Sequence, residues 1–314
     1  MKLSIIVPCK NEENNVTKLY ESINDTLGKI KYEIIFVDDG SVDNTLKEMK
    51  ELYEKDVQHI KILSFSRNFQ KEAAIFAGLE FASGKYTCIV DGDLQHNPKY
   101  LLDMYNYLEE NNEYDCIAMV AEINNNDSFF KKICKKKFYS IMNKHSEIKM
   151  KSGISDFRMF RKNVKDSIIN FRENNRFIKG VFEWVGFNTK YMFYKVDERK
   201  HGISSWSFKN SLNYSINGYC EFSYKILEWP IKLGLFSIFS AFVYLIILLV
   251  MMLGFNFKIK AAYIIILLLL LFFGIQFLFT GIIGKYISLI NNEVKNRPLY
   301  IIKEKIGFNS ETIL

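Results

Sequence analysis

The chain has 314 residues, which is long enough for one large α/β domain and a further module. Its hydrophobic fraction of 49%, with a mean hydropathy of -0.03, indicates a soluble domain combined with a much more apolar part. The five cysteines form no C-x-x-C pair and the four histidines lack metal-ligand spacing, which argues against a zinc ribbon, a disulfide framework or a histidine-built metal site. A net charge of +7 is compatible with nucleic acid, an anionic membrane or a phosphorylated substrate as a partner.

The first third of the chain alternates predicted strands and helices. Short, nearly continuous β-branched runs predict buried parallel strands at 3–7, 32–37, 60–64 and 86–90. Apolar residues at three- and four-residue spacing predict helices at 14–27, 45–53, 71–81 and 99–108. This repeating β-α unit predicts an α/β domain with a mostly parallel sheet, in which ligands bind at the carboxyl ends of the strands.

A basic stretch follows from residue 124 to 147, where lysines such as Lys132 lie among aromatic and aliphatic residues. The pattern predicts an amphipathic basic helix. Such a helix lies on an anionic membrane or presents a solvated charged face, and the pattern is equally typical of both.

Two later segments, 233–257 and 261–284, contain no charged residue, and each exceeds the roughly 20 residues that cross a bilayer. We predict a transmembrane hairpin whose flanks are cytosolic, because most lysines and arginines lie outside it. The N-terminal apolar run is too short for a signal peptide, since polar residues resume at Lys10. We therefore expect a multi-pass protein of the inner or plasma membrane with both termini in the cytoplasm. The predicted parts are a cytosolic domain at 1–205, a juxtamembrane segment at 206–230, the hairpin at 231–285 and a cytosolic tail at 286–314.

Polar residues follow each predicted strand, and Asp91, Gly92 and Asp93 follow the fourth. Two carboxylates offer hard oxygen ligands to Mg²⁺ or Mn²⁺, while the glycine lets the backbone approach a bulky anion such as a nucleotide diphosphate. A D-x-D pattern is also common in plain surface turns. Its position at a strand end favours the ligand-binding interpretation.

Asp38 and Asp39 end the second predicted strand, where a carboxylate can hold a base or a ribose hydroxyl, and Ser41 can cap the next helix. The chain lacks both G-x-G-x-x-G after its first strand and a G-x-x-x-x-G-K-[ST] segment, so neither dinucleotide oxidoreduction nor P-loop chemistry is supported. A metal on paired aspartates is the remaining way to hold phosphate.

Several segments together resemble one known family by their order and spacing. They read S-I-I-V-P-C-K-N-E-E, I-I-F-V-D-D-G-S-V-D-N-T, S-F-S-R-N-F-Q-K-E-A-A-I-F-A-G-L, D-G-D-L-Q-H-N-P, S-D-F-R-M-F, R-F-I-K-G-V-F-E-W-V-G-F and E-V-K-N-R-P-L-Y. The chain thereby resembles the family 2 glycosyltransferases, and within them the polyprenyl-phosphate glycosyltransferases, such as the dolichol-phosphate mannose synthases and bactoprenol glucosyltransferases. The resemblance implies a GT-A-type nucleotide-sugar-binding domain within 1–205.

The resemblance also implies roles for single residues. It implies that the nucleotide-sugar is bound by Pro8, Asn11, Glu13, Asp39, Arg67, Lys71, Asp91 and Gly92. It implies Asp91, Asp93 and Gln95 around the metal, with Asp93 and the acceptor-side acid Asp156 as the catalytic pair. For the acceptor phosphate we predict contacts with Arg199, Ser204 and, from the basic helix, Lys132. In a strand, Arg158 would lie on the same face as Asp156, and a partly buried ion pair is the alternative explanation for these two residues.

The implied reaction is one inverting displacement from a nucleotide-sugar, such as UDP-glucose, to a polyprenyl phosphate, such as undecaprenyl phosphate, for cell-surface glycan modification. The phosphate nucleophile is already anionic near neutral pH, so we expect Asp156 to orient or tune the site rather than abstract a proton. A homo-oligomer is implied by the resemblance alone.

Two other functions are compatible with this fold. A processive polysaccharide synthase would normally carry Q-x-x-R-W and more membrane helices, and the sequence has neither. A non-catalytic membrane scaffold or nucleotide-sugar sensor is disfavoured by the intact Asp39, Asp91, Asp93 and Asp156. Nucleic-acid binding is not expected, because the lysines lie beside apolar residues rather than on a base-stacking platform.

Overall fold

The computed structural model describes residues 1–28, 30–121, 139–140, 143–144, 148–149, 151, 153–171, 177–194, 243, 246, 261–295 and 297–308. Its centre is one sheet with the strand order β7-β5-β6-β4-β1-β2-β3-β8. The strands are β1 (Leu3–Cys9), β2 (Tyr32–Asp38), β3 (Ile60–Phe65), β4 (Tyr86–Ile89), β5 (Cys116–Ala121), β6 (Ile154–Arg161), β7 (Thr189–Tyr194) and β8 (Ile302–Ile306). The pairings β4–β6, β5–β6 and β3–β8 are antiparallel, so only β6 and β8 run against the other strands. The predicted α/β class with a mostly parallel sheet is confirmed.

Helices cover both faces of the sheet. They are α1 (Val16–Leu27), α2 (Thr45–Lys55), α3 (Lys71–Phe81), α4 (Lys99–Glu110), α5 (Lys162–Ile169), α6 (Ile178–Trp184) and α7 (Ala261–Val294). Apolar residues of α1, α2 and α4 pack on one face, and those of α3, α5 and α6 pack on the other. All seven residues of β1 and of β2 are buried, as expected for strands covered on both sides. The four strands and four helices predicted first in the chain are confirmed, with ends that differ from the prediction by at most two residues.

The second predicted membrane segment, 261–284, lies within helix α7. Within the part of the chain that the structure describes, no helix has the length and apolarity required to cross a membrane, so the predicted hairpin is not supported. The first predicted segment, 233–257, lies outside the described residues except at Val243 and Ile246, and the predicted basic helix lies outside them except at 139–140 and 143–144.

The C-terminal segment has a role that the sequence did not predict. Its strand β8 pairs with β3 and closes one edge of the sheet, with Ile62 opposite Ile306. The residues that follow α7 are therefore part of the same sheet as the N-terminal strands.

Candidate active site

The predicted site residues that the structure describes lie together at one end of the strands, where β1, β2 and β4 end and β6 begins. In the β4–β6 ladder, Ile89 lies opposite Arg158. Asp91 lies two residues after Ile89, and Asp156 lies two residues before Arg158, so in the antiparallel register the two acids come next to each other. Helix α3 begins at Lys71, which lies between them.

The loop after β1 and the loop after β2 are bound tightly to each other. Asn11 accepts a hydrogen bond from the Val42 backbone at 3.0 Å through Oδ1. Glu13 accepts hydrogen bonds from the backbone and side-chain nitrogens of Asn44 at 2.9 and 3.0 Å through Oε2. These two predicted nucleotide-binding side chains therefore shape the rim of the site, while Pro8 is buried within β1.

Asp38 and Asp39 at the end of β2 are both buried but have different partners. Asp38 accepts hydrogen bonds from the Ser41 backbone and the Ser64 hydroxyl, both at 2.9 Å, so its role is to hold the turn. Asp39 accepts a hydrogen bond from the Phe69 backbone at 2.6 Å. Burial raises the pKa of Asp39 to about 6, against the lowering effect of the Phe69 amide and of Lys10.

The glycine after these acids is required by the packing of the loop. Gly40 has φ of +64°, and a Cβ atom there would lie 2.6 Å from the Arg67 carbonyl carbon. The loop after β3 thus lies directly against the end of β2. Arg67, a predicted donor contact, places its guanidinium 4.0 Å from the Phe69 ring centroid and donates a hydrogen bond to the Asn68 carbonyl at 3.1 Å.

Replacing Asp39 by Asn will stabilise the fold at pH 8 and leave it nearly unchanged at pH 4. Burial raises the pKa of Asp39 to about 6, so the folded state binds the proton more tightly than the unfolded state does. The free energy of unfolding therefore falls as pH rises from about 4 to about 6. Above that range the ionised, buried carboxylate costs about 2 kcal/mol, which the neutral amide does not. The check is the midpoint of thermal unfolding at both pH values, with the exposed Asp25→Asn on α1 as the control. Equal midpoints for wild type and Asp39→Asn at pH 8 would contradict the expected cost.

The turn after β4 carries the two aspartates predicted to hold a metal. Asp91 Oδ1 lies 2.6 Å from Lys71 Nζ. Asp93 is only 8% exposed, and its Oδ1 accepts a hydrogen bond from the Gln95 backbone at 3.2 Å. Leu94 takes a positive φ of 61°, which makes the turn tight. Among the described residues, no group of three or more His, Cys, Asp or Glu side chains is placed to hold a metal ion.

Asp156 is paired with two lysines. Its Oδ2 lies 2.8 Å from Lys71 Nζ, and its Oδ1 lies 3.9 Å from Lys179 Nζ. Burial raises the pKa of Asp156, but Lys179 and Lys71 outweigh burial and hold the pKa well below its usual range. The same two acids, Asp91 and Asp156, raise the pKa of Lys71 against the opposing effect of burial. Lys71 is therefore a cation shared by Asp91 and Asp156.

Arg158 has a partner other than Asp156. Even-numbered residues of β6 face one side of the sheet, since Ile154 and Phe160 share one apolar cluster, and this agrees with the predicted common face of Asp156 and Arg158. The guanidinium is 1% exposed and lies 3.5 Å from Glu183. Asp156 is thus paired with Lys71 and Lys179, while Arg158 is paired with Glu183.

Two residues in the site, His96 and Lys179, were not predicted from the sequence. His96 is buried, accepts a hydrogen bond from the Asp91 backbone through Nδ1 at 3.3 Å, and has its Nε2 3.3 Å from the Ser155 hydroxyl. Because Nδ1 accepts, the neutral ring carries its proton on Nε2 and donates it to Ser155. Burial lowers the pKa of His96, which favours this neutral form. The histidine spacing in the sequence bears only on a metal site, whereas the position of His96 five residues after Asp91, in D-G-D-L-Q-H, is a signal for a contact that braces the turn.

We expect His96→Phe to lower kcat/KM about tenfold, because it loses two hydrogen bonds of about 1 kcal/mol each and keeps the stacking on Phe157. His96→Asn places an amide oxygen near the position of Nδ1 and is expected to recover part of the loss. Steady-state kinetics of both variants checks this. Full activity of His96→Phe would show that the turn does not need the imidazole.

Some predicted residues lie outside the part of the chain that the structure describes. These are the acceptor-phosphate residues Lys132, Arg199 and Ser204. Their predicted contacts stay predictions.

The chain is similar in sequence to a known protein family and to named glycosyltransferases. Residues 4–168 match the model of a family described as Glycosyl transferase family 2. The chain is 39% identical over 306 residues to a Bacillus subtilis (strain 168) protein provisionally named glycosyltransferase CsbB, covering 96% of this chain and 91% of that one. It is 33% identical over 307 residues to the SfII prophage-derived bactoprenol glucosyl transferase of Shigella flexneri, covering 97% of this chain and 98% of that one.

Proposed function

The chain belongs to glycosyl transferase family 2, and on that premise we propose that it transfers a sugar from a nucleotide-sugar to a polyprenyl phosphate in one inverting displacement. The observation that carries the proposal is the position of Lys71 between Asp91 and Asp156, at 2.6 and 2.8 Å. This contact brings the D-G-D turn and the acid of β6 to one place, at the strand ends where ligands bind in such sheets.

A divalent metal fits the residues at the D-G-D turn. Asp91 and Asp93 supply two carboxylates on one tight turn, and Mg²⁺ is commonly bound in proteins by one or two carboxylates together with substrate phosphates. A bound nucleoside diphosphate would supply the remaining oxygens. When bound, Mg²⁺ or Mn²⁺ would neutralise the negative charge that develops on the leaving diphosphate.

The chain's own charges suit a phosphate nucleophile. A phosphate monoester has its second pKa near 6, so it is anionic at neutral pH and needs no strong base. Asp156, whose pKa is held low by Lys179 and Lys71, is a poor proton acceptor. In our proposal Asp156 orients these two ammonium groups, which attract the acceptor phosphate and offset the charge of the acid.

The finer identity of donor and acceptor also belongs to the proposal. The Shigella relative is named a bactoprenol glucosyl transferase, which supports UDP-glucose as donor and undecaprenyl phosphate as acceptor. A lipid acceptor requires the site to reach a bilayer, so we propose action at the cytoplasmic face of the plasma membrane. The product would be a lipid-linked sugar for cell-surface glycans.

One experiment tests the reaction directly. Purified full-length chain is incubated with undecaprenyl phosphate and a panel of labelled nucleotide-sugars, with and without EDTA. We expect label from UDP-glucose in the organic phase, loss of that label with EDTA, and recovery with added Mg²⁺ or Mn²⁺. Label in a water-soluble polymer would favour a processive synthase, and no transfer from any donor would favour a sensor or scaffold.

A further inference from the structure

The segment after helix α7 reaches the loop that carries Arg67. Strand β8 pairs with β3, and the Ser66 backbone donates a hydrogen bond to the Ile301 carbonyl at 2.9 Å. Without β8, strand β3 would be an open sheet edge and this N–H would lose its partner. The C-terminal segment therefore fixes the point at which the loop after β3 begins.

Aromatic contacts continue from this point towards the end of β2. The Tyr300 ring stacks on Phe65 with centroids 5.0 Å apart and planes 13° apart. Phe65 in turn meets Phe69 edge to face at 5.7 Å. The Phe69 backbone donates the 2.6 Å hydrogen bond to Asp39. An unbroken series of contacts thus joins Tyr300 to the buried acid.

The loop between these anchors has little freedom to shift alone. Its Arg67 backbone lies against Gly40, where even a Cβ atom would be 2.6 Å away. Gln70, its last residue, has a positive φ of 79° immediately before α3 and Lys71. The Tyr300 hydroxyl also donates a hydrogen bond to Glu80 of α3. Tyr300 therefore contacts the loop through Phe65 and the last turn of α3 through Glu80, so its displacement would affect both.

We propose that Tyr300 is a positioning residue for the nucleotide site, acting through Phe65 and Phe69 on Asp39. The identity of the ligand as a nucleotide-sugar rests on the proposed function, whereas the series of contacts from Tyr300 to Asp39 does not. Tyr300 holds the loop so that the Asp39 carboxylate keeps one orientation. Strand β8 has the general structural role of covering the edge of the sheet at β3. The stack of Tyr300 on Phe65 adds the specific role of positioning the loop.

The test uses full-length Tyr300→Ala, hydrogen exchange of the peptide containing Phe69, and UDP binding by calorimetry. We expect Tyr300→Ala to speed exchange at Phe69 and to weaken UDP binding, each about tenfold, with KM for the nucleotide-sugar rising and kcat nearly unchanged. Tyr300→Phe keeps the stack on Phe65 and loses only the hydrogen bond to Glu80, so it is expected to stay much closer to wild type than Tyr300→Ala. Glu304→Ala on β8, which removes the ion pair with Lys50, is the matched control and is expected to leave the Phe69 exchange unchanged.

Two outcomes would overturn the proposal. One is unchanged exchange at Phe69 in Tyr300→Ala, and the other is faster exchange throughout the domain to the same degree, which would indicate general destabilisation. If Tyr300→Ala does not fold, Tyr300→Leu keeps an apolar side chain there without the ring, and the same criteria apply. Hydrogen exchange is measured without substrate. A failed transfer assay in wild type would therefore refute the proposed function without affecting the exchange result for Tyr300→Ala.

Discussion

Replacing Asp93 by Asn will lower kcat/KM for sugar transfer by about a thousandfold, which corresponds to about 4 kcal/mol of transition-state stabilisation. Asp93 is buried, and its Oδ1 accepts a hydrogen bond from the Gln95 backbone that an amide oxygen can also accept. The fold should therefore persist while the charge that we propose to hold a divalent cation is lost. Kinetics at saturating Mg²⁺ and calorimetric titration of Mn²⁺ in the presence of UDP measure the two effects.

A matched control distinguishes the loss of a charge in the site from the loss of a charge on the surface. Asp103 is exposed on α4, and Asp103→Asn is expected to stay within about twofold of wild type. Asp156→Asn is expected to lose far less activity than Asp93→Asn, because the phosphate nucleophile needs no strong base. The reverse order, with Asp156→Asn inactive and Asp93→Asn active, would contradict the assignment of these two acids.

Replacing Lys71 by Met will lower kcat/KM by about a hundredfold, because two acids then face each other without their shared cation. Lys71→Arg retains the positive charge and should keep more activity than Lys71→Met. The same kinetic assay measures both. Equal activity of the two variants would show that charge at this position is not the cause.

The Lys71→Met variant should also change the pH dependence of stability. In wild type, the folded pKa of Asp156 is held low by Lys179 and Lys71, so its ionised form contributes stability above the unfolded pKa of about 3.9 and loses it as pH falls through the folded pKa. Removing Lys71 raises that folded pKa. The folded and unfolded pKa values of Asp156 then lie closer together, so the loss of stability between pH 5 and pH 3 should be smaller in Lys71→Met than in wild type, as thermal unfolding across pH 3 to 7 will show.

Local patterns predicted the first half of the sheet well. Continuous β-branched runs identified β1, β2, β3 and β4, and three- and four-residue spacing identified α1 to α4, because these signals arise within single elements. The place of β6 between β4 and β5, and the addition of β8 beside β3, were not predicted. Pairing of strands from distant parts of the chain depends on tertiary packing, which periodicity within one segment does not record.

The candidate active site, too, was predicted in part from the sequence and depends in part on tertiary packing. The residue types and their positions after strands were enough to select Asp39, Asp91 and Asp93, and the family resemblance added Asp156. The sequence alone thus determined which acids are present and at which strand ends they lie, because in a parallel sheet chain order fixes those ends. Only the tertiary structure decided that Lys71 is shared by two acids, that His96 braces the D-G-D turn and that Tyr300 returns to Phe65. The Lys71 and Tyr300 contacts join residues far apart in the chain, whose distance local sequence patterns do not record, and distance determines how charges and rings interact.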